Sequence, residues 1–209
     1  MSVSLPDFES LRQWVDASSA FVKAWVRSPR RVGMVCPSGT LLARSMAAYA
    51  PRKGDGLVVE LGAGTGTVTR QLLDVGIAPQ RLLIIDQSPA MAALLRNRFP
   101  HLNVLEADAE RLGDFLPPDR RVDCIVSSLP LLSLNEHVRA RIVRSMHDAL
   151  DEGGLLIQYT YSWRRANPFL SDGFRCVGSR QVWQSRPPGF SGSGRKGENK
   201  DWGGGGKTF

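Results

Sequence analysis

Apolar residues along this chain occur in two rhythms. Short unbroken runs, Val58-Val59, Leu82-Leu83-Ile84-Ile85, Val104-Leu105, Cys124-Ile125-Val126 and Leu155-Leu156-Ile157, are set apart by stretches that contain Gly, Pro, Asp or Asn. Between them lie longer stretches in which apolar positions return every three or four residues. Unbroken runs of this length read as strands buried on both faces, and the spaced stripes read as helices covering them. Their regular alternation predicts an α/β fold with a mostly parallel sheet and helices on both faces, of the Rossmann-like kind.

The expected elements follow from the same pattern. An Ala/Leu/Met helix reaching Tyr49 is expected to be capped by Ser38 or Thr40. A strand through Val58–Leu61 leads by a glycine turn into a helix that runs to about Val75 and stops at Gly76. Strands are expected over Arg81–Asp86 and Asn103–Ala107, and a fourth with its loop over Val122–Leu132. The helix from Asn135 to Leu150 turns Val138, Ile142, Met146 and Ala149 inward and is closed by Gly153-Gly154. A fifth strand spans Leu155–Tyr161.

The chemistry concentrates where the first strand meets its helix, at Glu60-Leu61-Gly62-Ala63-Gly64-Thr65-Gly66. Glycines permit torsions closed to other residues and bring amides close to a ligand, and the helix that follows favours negative charge at its start. Glu60, Gly62, Gly64, Thr65 and Gly66 are therefore expected to line a cofactor site. Asp86, followed by Gln87, ends the second strand, where an acidic side chain can accept from two ribose hydroxyls. Ser88 with Pro89 already caps the next helix, which frees Asp86 for that role. Asp108 and Ala109 close the third strand. A carboxylate there can take an adenine amino group, or simply shape a loop. Ser127 stands at the end of the fourth strand, where open sheets bind their ligands.

Length and charge narrow the setting. The 209 residues suit one domain. A net charge of +7 suggests a polyanionic surface as partner, nucleic acid or anionic lipid. Five basic and two acidic side chains from Arg186 onward make that tail net +3, leaving the body mildly basic. Gly, Ser and Lys dominate residues 186–209, which reads as a disordered tail. From Asp7 to Arg27, Phe8, Leu11, Trp14, Val15, Phe21, Val22, Trp25 and Val26 fall on one side of a helix at about 100° per residue. Lys23, Arg27, Arg30 and Arg31 cluster at its end, a combination suited to a membrane interface or to an ordinary first helix.

Cys36, Cys124 and Cys176 show no ligand spacing and read as buried or inert thiols, so no metal is expected. His101, His137 and His147 read as structural or surface groups. No signal peptide and no membrane-spanning run is apparent, which places the expected protein in the cytoplasm.

Glu60-Leu61-Gly62-Ala63-Gly64-Thr65-Gly66 resembles motif I of the class I S-adenosylmethionine-dependent methyltransferases. Together with Val-Gly-Met-Val-Cys-Pro-Ser over 32–38, Ser127-Ser128-Leu129-Pro130-Leu131-Leu132 and Gln158-Tyr159-Thr160-Tyr161, the chain resembles the soluble bacterial phospholipid N-methyltransferases over roughly residues 20–188. That resemblance implies S-adenosyl-L-methionine as cofactor and phosphatidylethanolamine as substrate, methylated toward phosphatidylcholine. It implies an amphipathic helix and basic segment over 1–31, a catalytic domain over 32–185, and peripheral association with the inner face of an anionic phospholipid membrane.

Catalytic candidates are Tyr161, Tyr159 and Ser127. The two tyrosines are expected on opposite faces of the fifth strand, with Tyr161 nearer the pocket and able to orient an ammonium. The chain departs from the family after Pro187-Pro188. Gly189 onward replaces a strand rich in Val, Trp and Tyr, leaving Phe174–Trp183 as a sixth strand without its usual neighbour.

Two other readings stand beside this one. Ribosomal RNA adenine N6-dimethyltransferases share a similar entry segment and would explain the basic charge. They carry Asn-Pro-Pro-Tyr or a close variant where this chain has Ser127-Ser128-Leu129-Pro130, which offers neither the amide nor the ring that holds a flat base. Nucleic acid is therefore not the expected partner. A catalytically inactive Rossmann domain serving as a membrane or protein adaptor is the third reading.

Overall fold

The computed structural model describes residues 37–159 together with Phe174 and Arg175. Five parallel strands, β1 (Leu57–Leu61), β2 (Leu82–Asp86), β3 (Asn103–Glu106), β4 (Val122–Ser127) and β5 (Leu155–Gln158), form one sheet in the order β3-β2-β1-β4-β5. The expected parallel α/β architecture is thus observed. The chain moves outward from β1 to β3, then returns across β1 to build β4 and β5. This reversal opens a crevice beyond the carboxyl ends of β1 and β4.

Helix α1 (Pro37–Ala47) precedes the sheet, α2 (Thr67–Asp74) follows β1, α3 (Pro89–Arg98) follows β2, and α4 (Glu136–Ala149) follows β4. Two buried layers result. Val58, Ile84, Val104, Cys124 and Val126 face Ala43, Ala47, Leu72, Ala92 and Leu95 of the first three helices. Val59, Leu61, Leu83, Ile85 and Ile125 face Leu112, Ile142, Val143 and Met146 on the other side. Successive strand residues alternate between the layers because a strand repeats every two residues. With both faces covered, β1 and β2 are buried at every position, which is why they read as unbroken apolar runs.

Local signals set the helix ends. Ser88 Oγ accepts the Met91 N–H, and Pro89 takes the first helical position of α3. Asn135 Oδ1 accepts the His137 N–H at the start of α4. Helix α2 ends at Asp74, and Gly76 follows with φ +94°. The α1 helix already includes Pro37, so Ser38 and Thr40 lie inside its first turn rather than ahead of it as caps.

Arg81 also departs from expectation, standing in a short 3₁₀ turn (Pro79–Arg81) before β2 rather than in the strand. Its buried guanidinium donates to the carbonyls of Gly56, Pro51 and Arg52 and meets Asp123 at 3.1 Å. These bonds tie the segment entering β1 to the amino ends of β2 and β4. Cys124 is fully buried, and burial pushes its thiol up.

The amphipathic helix expected over 7–27, the sixth strand beyond Phe174 and Arg175, the tail, Cys36, Cys176, Thr160 and Tyr161 lie outside the described residues. Among the described residues, no helix is long and apolar enough to cross a membrane.

Candidate active site

The register of the sheet aligns the strand ends. Leu61 pairs with Ile85 on one side and Ser127 on the other, Ser127 pairs with Gln158, and Asp86 pairs with Glu106 one step farther. Side chains and loops from all five strands thereby meet at one edge of the crevice.

The glycine turn follows at once from β1. Gly62, Gly64 and Gly66 have φ of +70°, +55° and +80°, a region that strains any residue with a Cβ. Two of them also have no room for one. A Cβ on Gly62 would lie 2.7 Å from Leu129 Cδ2, and one on Gly66 would lie 2.6 Å from the Phe99 ring. Among the described residues, nothing stands within 4 Å of where a Gly64 Cβ would lie. The turn is therefore packed beneath and beside but open at its centre. Gly66 caps α2 without a side-chain bond, and the Thr65 carbonyl accepts from Arg98 at 2.7 Å.

Asp86 is brought to this turn. Its Oδ2 accepts the Gly64 N–H at 2.7 Å and its Oδ1 accepts the Ser88 N–H at 2.9 Å. Burial raises its pKa while those two amides oppose the rise. A carboxylate has about four lone-pair sites, so positions remain for a further pair of donors. Gln87 Nε2 donates to Asp108 Oδ2 at 3.2 Å, joining the ends of β2 and β3. Asp108 Oδ1 in turn accepts the Glu110 N–H and starts the 3₁₀ segment Ala109–Phe115, with Ala109 buried. Glu60, Gly62, Gly64, Thr65, Asp86, Gln87, Asp108 and Ala109 thus come from three adjacent strand ends, as a ligand laid across β1, β2 and β3 would require.

Glu60 sits differently from its neighbours in the turn. Its side chain is fully buried on the α1 to α3 side of the sheet, with Oε2 accepting the Thr69 hydroxyl at 2.7 Å and Oε1 buried without a partner among the described residues. Burial drives its pKa up to about 8, against the lowering effect of the Thr69 bonds. The sequence did not single out Thr69. Its position in the first turn of α2 was the available signal, since that turn lies beside the end of β1.

Ser127 ends β4 fully buried, and its hydroxyl accepts the Leu129 N–H at 3.3 Å. Tyr159 lies just past β5, half-buried against the same layer as Leu155 and Ile157. The expected division of Tyr159 and Tyr161 between faces fails on strand geometry alone, since residues two apart on an extended strand share a face. Strand β5 ends at Gln158, and Tyr161 lies outside the described residues. Gln158 and Leu129 were legible only as members of motifs, but the structure places both against the site. His101 and His137 are exposed, and His147 stacks edge-on to Phe174 at 5.3 Å.

The open space over Gly64 and the carboxylates at the ends of β2 and β3 fit a nucleoside joined to an amino-acid-like tail. Residues 58–154 match the family described as a methyltransferase domain. The chain is 28% identical over 145 residues to an ornithine lipid N-methyltransferase of Singulisphaera acidiphila, covering 67% of this chain and 76% of that one. It is 29% identical over 83 residues to a ribosomal RNA small subunit methyltransferase A of Chlorobium chlorochromatii, spanning 40% of this chain and 30% of the relative. An uncharacterised methyltransferase of Oceanobacillus iheyensis is 27% identical over 48% of this chain and 44% of its own length.

Among solved structures, a sugar N-methyltransferase of Streptoalloteichus aligns at 18% identity and a TM-score of 0.47, over 77% of this chain and 57% of that one. A glycopeptide N-methyltransferase complexed with S-adenosylmethionine aligns at 26% identity and a TM-score of 0.46, over 56% and 51%. Residues 58–154 match the methyltransferase domain family and carry the parallel sheet of the class I fold, which supports an S-adenosylmethionine-dependent methyltransferase.

Proposed function

We propose that the protein methylates the primary amine of a membrane lipid, phosphatidylethanolamine and its partly methylated forms, toward phosphatidylcholine. The observation that carries this reading is the similarity to an enzyme named for a lipid amine across 67% of the chain, against 40% for the ribosomal RNA relative. An ornithine lipid presents the same chemical group, a primary alkylamine at a membrane surface, so it is the natural competing substrate. The Ser127-Ser128-Leu129-Pro130 loop supports an alkylamine over a base, since it supplies no side-chain amide and no ring.

The bound cofactor supplies a methyl group on a sulfonium, already an excellent leaving group. The protein's own contribution is then alignment and exclusion of water more than activation of the methyl. The open turn at Gly64 and the Asp86 carboxylate would hold one end of the cofactor, and Gln87 and Asp108 would shape the slot at the other. The amine is the harder partner. An alkylamine resembling lysine has a pKa of about 10.4, so it arrives protonated and must lose a proton before its lone pair can attack. With the amine neutral, its lone pair would be free to take the methyl group, the proton having left to water. Tyr161 is our choice for orienting the ammonium. Residues 7–31 bring the enzyme to the anionic surface where the lipid resides.

The test uses radiolabelled S-adenosylmethionine with three acceptors side by side: phosphatidylethanolamine vesicles, ornithine-lipid vesicles and ribosomal RNA. Label in phosphatidylethanolamine is the expected result. Label in ornithine lipid alone would move the substrate within the amine-lipid class, and label in RNA alone would overturn the reading. Cofactor binding with no transfer to any acceptor would favour the inactive adaptor.

A further inference from the structure

The loop after β4 is held from several directions. The Ser128 N–H donates to the Leu61 carbonyl at 2.9 Å, bonding the loop to the last residue of β1. The Leu129 side chain then lies on the glycine turn, with Cδ2 only 2.7 Å from where a Gly62 Cβ would stand. From the far side, Gln158 Nε2 donates to the Leu129 carbonyl at 2.9 Å and to the Tyr159 carbonyl at 2.7 Å. The amide nitrogen has two hydrogens, and each has a carbonyl to meet. Reversing the amide would put its oxygen against two carbonyl oxygens, so these contacts fix its orientation.

We propose that Gln158 is a positioning residue that clamps the 128–131 loop onto the glycine turn and so sets the acceptor side of the methyl-transfer site. The inference deepens the proposed function and rests on methyl transfer occurring in the crevice beyond β1 and β4. Its geometric basis is the pairing of Ser127 with Gln158 at the ends of β4 and β5. From that row the Gln158 side chain reaches the first turn of the loop without spanning the pocket.

A residue kept for packing alone would fill this volume with an apolar group. Gln158 instead leaves Oε1 buried and without a partner among the described residues, a destabilising feature offset by what its nitrogen holds. The loop is worth holding because an error of about 1 Å in the approach of two reacting groups can slow a reaction about a hundredfold. Leu129 touches the cofactor turn on one side while its carbonyl is fixed by β5 on the other. Displacing it would move the wall that the incoming amine meets.

The experiment compares the full-length wild type with Gln158→Leu, which keeps the bulk and removes the donors, and Gln158→Asn, which keeps the amide but shortens its reach. Hydrogen exchange read by mass spectrometry on the peptide covering residues 128–134 should be about threefold to tenfold faster in both variants, with the β2 and β3 peptides unchanged. S-adenosylmethionine affinity by calorimetry should be unchanged. Transfer to phosphatidylethanolamine vesicles should fall about tenfold or more in kcat, with KM for the cofactor held.

Unchanged exchange in the loop peptide, or a rise spread equally over the sheet, would overturn the proposal. Should Gln158→Leu fail to fold, Gln158→Asn carries the same outcomes. If even the wild type labels no lipid, the substrate reading fails, while exchange and calorimetry still decide whether Gln158 is the clamp.

Discussion

Asp86 Oδ2 accepts the Gly64 N–H at 2.7 Å, so the carboxylate ending β2 is bonded to the centre of the glycine turn that follows β1. One side chain therefore shapes the turn, and under the proposed function it would also accept from the cofactor's ribose. Asp86→Ala should weaken S-adenosylmethionine binding by about 1–3 kcal/mol, the range for leaving charged hydrogen bonds unmade. Calorimetry checks this, and wild-type affinity in the variant would remove Asp86 from the site.

The three turn glycines differ in what surrounds them, and that difference is testable. Gly62→Ala meets both a φ of +70° and Leu129 at 2.7 Å, so it should lower stability by about 2 kcal/mol or more. Gly64→Ala has φ +55° but open space, so only the backbone penalty of about 1 kcal/mol applies. Its methyl group instead enters the space over the turn and should weaken cofactor binding. Urea unfolding and calorimetry on the two variants should rank them in opposite order.

Glu60 predicts a pH dependence. Burial carries its pKa from 4.5 to about 8 in the folded protein. Below the unfolded value both states hold the proton, and its stabilising effect is fully present. As pH rises from there, the unfolded chain loses the proton while the folded chain keeps it, so stability falls until the folded pKa is passed. Glu60→Gln stays neutral and can still accept from Thr69. Its melting temperature should therefore drop less than that of the wild type over this window. Parallel melting curves would show that Glu60 does not carry the buried proton.

The basic end of the N-terminal segment gives a prediction about membranes. Lys23, Arg27, Arg30 and Arg31 should each add about 1 kcal/mol of attraction to an anionic surface. Deleting residues 1–31 should abolish flotation with anionic liposomes. Equal flotation of the intact protein with neutral vesicles would remove the electrostatic part, and no loss on deletion would remove the segment's role.

Much of the architecture was legible in the sequence because its signals are local. Strands buried on both faces need unbroken apolar runs, and Val58–Leu61 and Leu82–Ile85 are such runs. A turn with three positive φ angles needs glycines, and Gly62, Gly64 and Gly66 supply them. Ser88-Pro89 and Asn135 mark helix starts by side-chain chemistry that acts within a few residues. What only the tertiary structure decided depends on strand order and register, which are not local. Nothing in the neighbourhood of Arg81 says that it leaves β2 to bind carbonyls some thirty residues earlier in the chain. The partner of Glu60 is Thr69 because α2 folds back over β1. Leu129 rests on Gly62, and Gln158 reaches Leu129, because β4 and β5 are laid beside β1 in register. Periodicity specifies which face a residue takes, while its partner across the site is chosen by how the strands align.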